Sequence, residues 1–72
     1  MDRETILKQL ALAEHLVAVG EVHVERQRLI LEDLERDGHV HTLEEAKELL
    51  KRFEEVLALH IEDRDRLKKM LG

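Results

Sequence analysis

Three features of this 72-residue chain predict an all-α fold, an antiparallel helical hairpin of two long helices that dimerises into a four-helix bundle. Apolar residues recur at helical spacing in both halves of the chain. Proline is absent, and Gly38 is the one break between the halves. The apolar positions of the first half form two adjacent rows, which is more than one partner helix can cover. We expect one domain, residues 1–72, with helix 1 at about 3–37, a turn at 38–41 and helix 2 at about 43–71.

The first predicted helix begins after Asp2, whose side chain can cap the first turn, and ends before Gly38. A heptad row within it consists of Gln9, Ala13, Leu16, Gly20, His23, Gln27, Ile30 and Leu34. A second row beside the first consists of Leu10, Val17, Val24 and Leu31. Because a two-helix hairpin would leave one of these rows in water, we expect a second copy of the chain to cover it.

The second predicted helix begins at a capping box. In Thr42-Leu43-Glu44-Glu45, the hydroxyl of Thr42 can accept from a first-turn amide while Glu45 reaches back to the cap. From Leu43 onward a broad apolar stripe predicts helix to about residue 71. The short link between the helices makes them antiparallel neighbours.

The expected pairing of the helices gives a mid-helix glycine, Gly20, a role. If Leu34 lies near Ala46, Gly20 faces His60 and His23 faces Leu57. Gly20 then either leaves room for the imidazole ring of His60 or permits a close backbone approach at the dimer contact.

The residues expected in the core and at the dimer contact come from both helices. Polar members of this set, such as His23 and Gln27, are expected to fix the register and the oligomeric state at some cost in stability. The full set is Leu16, Gly20, His23, Val24, Gln27, Ile30, Leu31, Leu50, Phe53, Leu57, His60 and Leu67.

The histidines are the only candidates for chemistry. An alternative interpretation is a metal-binding four-helix bundle in which His23 and His60 of two copies converge. The chain lacks the His-x-x-x-His and Glu-x-x-His spacings, and hydrogen-bonded imidazoles without a ligand explain the same residues. The segment His39-Val40-His41, with Glu44 or Glu45, is either a surface site for a divalent ion or a plain polar turn.

Composition favours a non-catalytic protein without a cofactor. The chain has no Ser, Cys, Tyr or Asn, which excludes a hydrolytic triad. Its net charge of −5 and the absence of a basic stripe exclude general DNA binding, disfavour RNA binding and leave room for a basic protein partner. The absence of cysteine and of an apolar run near 20 residues favours a cytoplasmic protein outside the membrane.

Three segments of the chain carry a resemblance to known sequences. They are Ala13-Glu14-His15-Leu16-Val17-Ala18-Val19-Gly20-Glu21, Leu34-Glu35-Arg36-Asp37-Gly38-His39 and Phe53-Glu54-Glu55-Val56-Leu57-Ala58-Leu59-His60. Together they resemble a group of short bacterial helical-hairpin proteins of unassigned function, which implies a small cytoplasmic protein but no activity, cofactor or site. In architecture the chain is similar to the ROP-type hairpins, which dimerise into four-helix bundles; this is a likeness of fold, and fold does not fix function.

Overall fold

The computed structural model, which describes residues 2–72, confirms the all-α helical hairpin. Two long helices, α1 (Arg3–Asp37) and α2 (Val40–Leu71), pack against each other in antiparallel orientation, and no β-strand occurs in this range. The hairpin is a rod 53 Å long and 14 Å across. Its length is that of α1 alone, because 35 residues rise by about 1.5 Å each.

Both predicted ends of α1 are confirmed. The side chain of Asp2 accepts a hydrogen bond of 2.7 Å from the backbone N–H of Thr5. At the other end, Gly38 has a φ of 75°, in the left-handed region that a side chain disfavours. The N–H groups of Gly38 and His39 donate to the carbonyls of Glu35 and Leu34, so that two end carbonyls of α1 are satisfied.

The predicted start of α2 is wrong. The helix begins at Val40 instead of Leu43, and its N-cap, His39, makes no side-chain capping bond. Thr42 therefore lies inside the first turn and is not the N-cap that the capping-box pattern predicted. The link is shortened from 38–41 to Gly38 and His39, because the left-handed glycine already reverses the chain and Leu43 N–H can donate to the His39 carbonyl at 2.8 Å.

One heptad on each helix faces the other helix, and we call these residues the inner seam. Every one of them is buried or half-buried. On α1 the seam contains the whole second predicted row and alternate members of the first, so that Gln9, Leu16, His23 and Ile30 of the first row lie outside it. The inner seam is Ile6, Leu10, Ala13, Val17, Gly20, Val24, Gln27, Leu31 and Leu34 on α1, and Leu43, Ala46, Leu50, Phe53, Leu57, His60, Arg64, Leu67 and Leu71 on α2.

The helices are paired about one turn away from the predicted register. A Cβ added to Gly20 would lie 3.0 Å from Leu57 Cδ1, and the rings of His23 and Phe53 stack with centroids 5.5 Å apart. Gly20 thus faces Leu57 and not His60. The shift follows from the early start of α2, since three extra helical residues at the link move every pair by about that number.

A buried amide fixes this register. Gln27 is the single buried polar residue in the described range, and its Nε2 donates to the backbone carbonyl of Ala46 at 3.2 Å. No buried side-chain nitrogen or oxygen among residues 2–72 lacks a hydrogen-bond partner. A slip of the two helices would break this bond and leave a polar group in the core, which costs more than the bond itself gains.

Candidate interaction surface

The positions directly before the inner seam form a row on each helix, in which apolar residues alternate with polar and charged ones. We call these two rows together the apolar face. Leu16 is half-buried, and the other members are exposed, with values from 37% for Val19 to 63% for Leu59. The face consists of Leu12, Leu16, Val19, His23 and Ile30 on α1, and Leu49, Val56, Leu59 and Met70 on α2.

Residues that come one position after the inner seam form the opposite side of the hairpin, the charged face. Two of its members, Arg28 on α1 and Glu54 on α2, form an ion pair of 3.7 Å across the helices. Leu7 and Ile61 are its only large apolar members in the described chain. Its charged members are Glu14, Glu21, Glu25, Arg28, Glu32 and Glu35 on α1, and Glu44, Lys47, Lys51, Glu54, Asp65 and Lys68 on α2.

The geometry of an antiparallel pair places both apolar rows on one side of the hairpin. Successive residues turn by about 100° around a helix, so the positions before and after the seam lie on opposite sides of it. Reversing one helix makes the preceding positions of both helices meet on the same side. The ion pair between Arg28 and Glu54, which both follow a seam residue, marks the opposite side.

The exposed apolar residues are therefore concentrated on one side. Among residues 2–72, eleven large hydrophobic residues are exposed, and seven of them belong to the apolar face: Leu12, Val19, Ile30, Leu49, Val56, Leu59 and Met70. Leu7 lies on the charged face, while Val22, Leu29 and Val40 lie apart from both faces. Single exposed apolar residues are common on soluble proteins, but their concentration on one side of a molecule is typical of an interaction surface.

The total exposed area points the same way. The hairpin exposes 5511 Å². A compact monomer with its mass of 8.5 kDa exposes about 4,700 Å². The excess of roughly 800 Å² arises from the elongated shape of the rod, and it is about the area that each partner buries in a standard protein–protein interface.

The structure distributes the predicted core and contact residues between the inner seam and the apolar face. Val24, Gln27 and Leu67 are buried in the seam. Leu16, His23 and Ile30 lie on the apolar face, where His23 and Ile30 are exposed. The remaining predicted residues are half-buried in the seam: Gly20, Leu31, Leu50, Phe53, Leu57 and His60.

The residues proposed for a metal site do not converge within one hairpin. His23 stacks on Phe53, and His60 lies two turns further along α2, about 10 Å away along the axis. Among residues 2–72, no group of three or more His, Asp or Glu side chains is arranged to hold a metal ion. At the link, His41, Glu44 and Glu45 lie in the first turns of α2 and line an open depression of the surface.

The predicted set of core and dimer-contact residues does not include six members of the apolar face, although Leu49, Val56 and Met70 belong to the apolar stripe predicted for α2: the six are Leu12, Val19, Leu49, Val56, Leu59 and Met70. The signal that identifies them is their position directly before a seam residue. This position can be recognised only when it is known which residues form the inner seam, because adjacent heptad rows on one helix are offset by a single residue.

The described helices contain no stretch long and apolar enough to cross a lipid bilayer. Comparisons with protein-family models, with curated proteins and with solved structures find no match to this chain.

Proposed function

We propose that this chain is a non-catalytic interaction or structural module that forms a homodimer, with two hairpins packing through their apolar faces into a four-helix bundle. The observation that carries the proposal is the concentration of exposed apolar residues on one side of the hairpin, opposite a charged side. A second copy offers the same strip. A two-fold contact between two such strips therefore covers both at once.

The weak core of the hairpin supports the same proposal. In the described chain only six apolar residues are buried, and none of the side chains is completely enclosed. A 72-residue chain without disulfides needs additional burial to offset the conformational entropy of folding. Covering the excess of roughly 800 Å² on each copy supplies it.

Two further expectations stay predictions. A basic protein partner is favoured by the net charge of −5 and by the glutamates of the charged face, which this dimer leaves exposed. A metal-binding bundle requires histidines from both copies, because one hairpin does not bring His23 and His60 together. Elemental analysis and zinc titration, with His60→Ala as the control, test the second expectation.

The dimer is tested by mass and by dilution. Light scattering behind a sizing column is expected to give twice the mass of one 8.5 kDa chain. Helicity and melting temperature are expected to fall on dilution, because dimerisation stabilises the fold by mass action. A chain that stays fully folded as a monomer at every concentration would refute the proposal.

A matched pair of variants locates the contact. Val19 and Val56 lie on the apolar face beside Gly20 and Leu57, and Ala18 and Ala58 lie at nearly the same height on the charged face. The double variant Val19→Glu, Val56→Glu is expected to be monomeric, since it places charge in the centre of the contact. The control Ala18→Glu, Ala58→Glu adds the same charge on the other side and is expected to remain a dimer. Equal behaviour of the two variants would rule out the apolar face as the contact.

A further inference from the structure

The contacts between the helices define which residues lie at the same height along the rod. Gly20 faces Leu57 and His23 stacks on Phe53, so residue numbers at the same height add up to about 77. The height of any residue of α2 can thus be expressed on the scale of α1. The level of Gly20 lies near the middle of the apolar face, about 12 Å from Leu12 on one side and about 15 Å from Ile30 on the other.

The charged residues in the two rows of the apolar face occur in separate bands. Starting from the link, an acidic band is followed by a basic band, then by the apolar centre, then by one acidic and one basic residue. All of them come directly before an inner-seam residue, as the other members of the rows do. The bands are Asp33 with Glu45, Arg26 with Arg52, then Asp63 and finally Arg66.

Bands at similar distances on the two sides of the centre carry opposite charges. Arg26 and Arg52 lie about 9 Å from the level of Gly20 towards the link, and Asp63 lies about 9 Å on the other side. The outer bands lie about 19 Å and 14 Å from that level, a mismatch of about 5 Å that a long arginine side chain can span. Each basic band thus has an acidic counterpart at the mirrored height.

We infer that the two hairpins dock antiparallel, with their links at opposite ends of the bundle; this inference rests on the proposed dimer. A two-fold axis perpendicular to the rod at the level of Gly20 sets each helix against the same helix of the other copy, so that Arg52 of one copy faces Asp63 of the other and Arg26 lies diagonally across from it. It also sets Glu45 on α2 against Arg66 on α2 of the other copy. A two-fold axis along the rod would set α1 of one copy against α2 of the other. Arg26 would then meet Arg52 and Asp33 would meet Glu45, and these contacts between like charges disfavour parallel docking.

The ion pairs within one chain leave these side chains available. Asp63 pairs with Arg66 one turn along α2, and Arg52 pairs with Glu48 at 3.9 Å. The side chains of Arg52 and Arg66 nevertheless remain 72% and 69% exposed. A guanidinium carries five N–H donors, so each arginine can bind a second carboxylate from the other copy.

A single distance distinguishes the two dockings. The chain has no cysteine, so Val40→Cys at the link carries one spin label per copy on a residue that is 72% exposed. Antiparallel docking predicts about 50 Å between the two labels, and parallel docking predicts about 20 Å. Labels at Ala18→Cys, near the axis, are expected about 20 Å apart in both arrangements and serve as the control.

The outcomes separate the docking from the dimer. A separation of about 50 Å in a sample with the mass of a dimer supports antiparallel docking. A short separation, or a mixture of short and long ones, in a sample of that mass overturns it and leaves the dimer standing. A labelled or unlabelled chain with the mass of a monomer overturns the proposed function itself.

Charge reversal provides an independent test. Asp63→Arg is expected to weaken the dimer about tenfold at low salt, because it sets like charges together at two symmetric places. Adding Arg26→Asp and Arg52→Asp restores opposite signs and is expected to recover most of the loss. Asp65→Arg makes the same change of charge on the charged face and is expected to have less than a twofold effect. An Asp63→Arg dimer as tight as the unmodified one would contradict antiparallel docking.

Discussion

The apolar face and the charged face of the hairpin flank the same inner seam, one residue before it and one residue after it. Before the seam stand residues such as Leu12, Val19 and Val56, and after it stand residues such as Glu21 and Glu54. Both sides are exposed in the hairpin, so burial alone does not distinguish them. The two sides differ in what they expose: one side exposes charged side chains, which water solvates well, and the other exposes apolar side chains, which it does not.

Substitution of one leucine on each face tests whether only the apolar face forms the dimer contact. Leu12 lies on the apolar face and is 58% exposed, and Leu7 lies on the charged face and is 45% exposed. Leu12→Glu is expected to raise the dissociation constant of the dimer about 100-fold, or nearly 3 kcal/mol, through lost apolar burial and a charge forced into the contact. Leu7→Glu is expected to change it less than threefold. Analytical ultracentrifugation measures both constants, and similar values would abolish the distinction between the faces.

Gln27 tests whether the alignment of the faces depends on the inner seam. Gln27→Ala is expected to lower the free energy of unfolding by about 2 kcal/mol, because it removes the bond to the Ala46 carbonyl and leaves a cavity. Gln27→Met keeps most of the volume and is expected to cost less than 1 kcal/mol. Urea unfolding at fixed protein concentration measures both. An equal loss in the two variants would assign the role of Gln27 to the hydrogen bond, which both variants remove, and not to the volume, which methionine retains.

The sequence predicts the two helices and the whole extent of α1, because Asp2 and Gly38 act locally at its ends. It mispredicts the start of α2. The segment Thr42-Leu43-Glu44-Glu45 has the pattern of a capping box, but the left-handed Gly38 completes the turn earlier, so that the helix already begins at Val40. The prediction of which α1 residues lie on the apolar face is affected as well. Which heptad row faces α2 depends on the register across the helices, and this is a long-range property that local spacing does not encode.

Gly20 lies between the two faces and tests how closely the helices must approach. An added methyl group would meet Leu57 Cδ1 at 3.0 Å, and this atom is the mobile end of a half-buried side chain. Alanine also removes the helix penalty of glycine, which is up to about 1 kcal/mol. Gly20→Ala is therefore expected to stabilise the hairpin by about 0.5 kcal/mol, whereas Gly20→Leu is expected to separate the helices and destabilise it. Thermal unfolding measures both; destabilisation by alanine would mean that Leu57 cannot move.

Asp2 lies at the end of the rod, outside both faces, and the smallest effect is expected there. The hydrogen bond from the Thr5 backbone N–H lowers the pKa of the Asp2 carboxyl below its ordinary value of 3.8. A lowered pKa means that the cap stabilises the first turn fully above 3.8 and loses its effect as the pH falls through the lowered value. An NMR titration of the carboxyl carbon is expected to give this lower midpoint, with fraying of the first turn alongside it. Asp2→Asn keeps a capping oxygen without a titrating group, so its first turn should be insensitive to this pH change. Because Asp2 touches neither face, a change in the dimer constant of Asp2→Asn at neutral pH would show that the contact extends to the end of the rod.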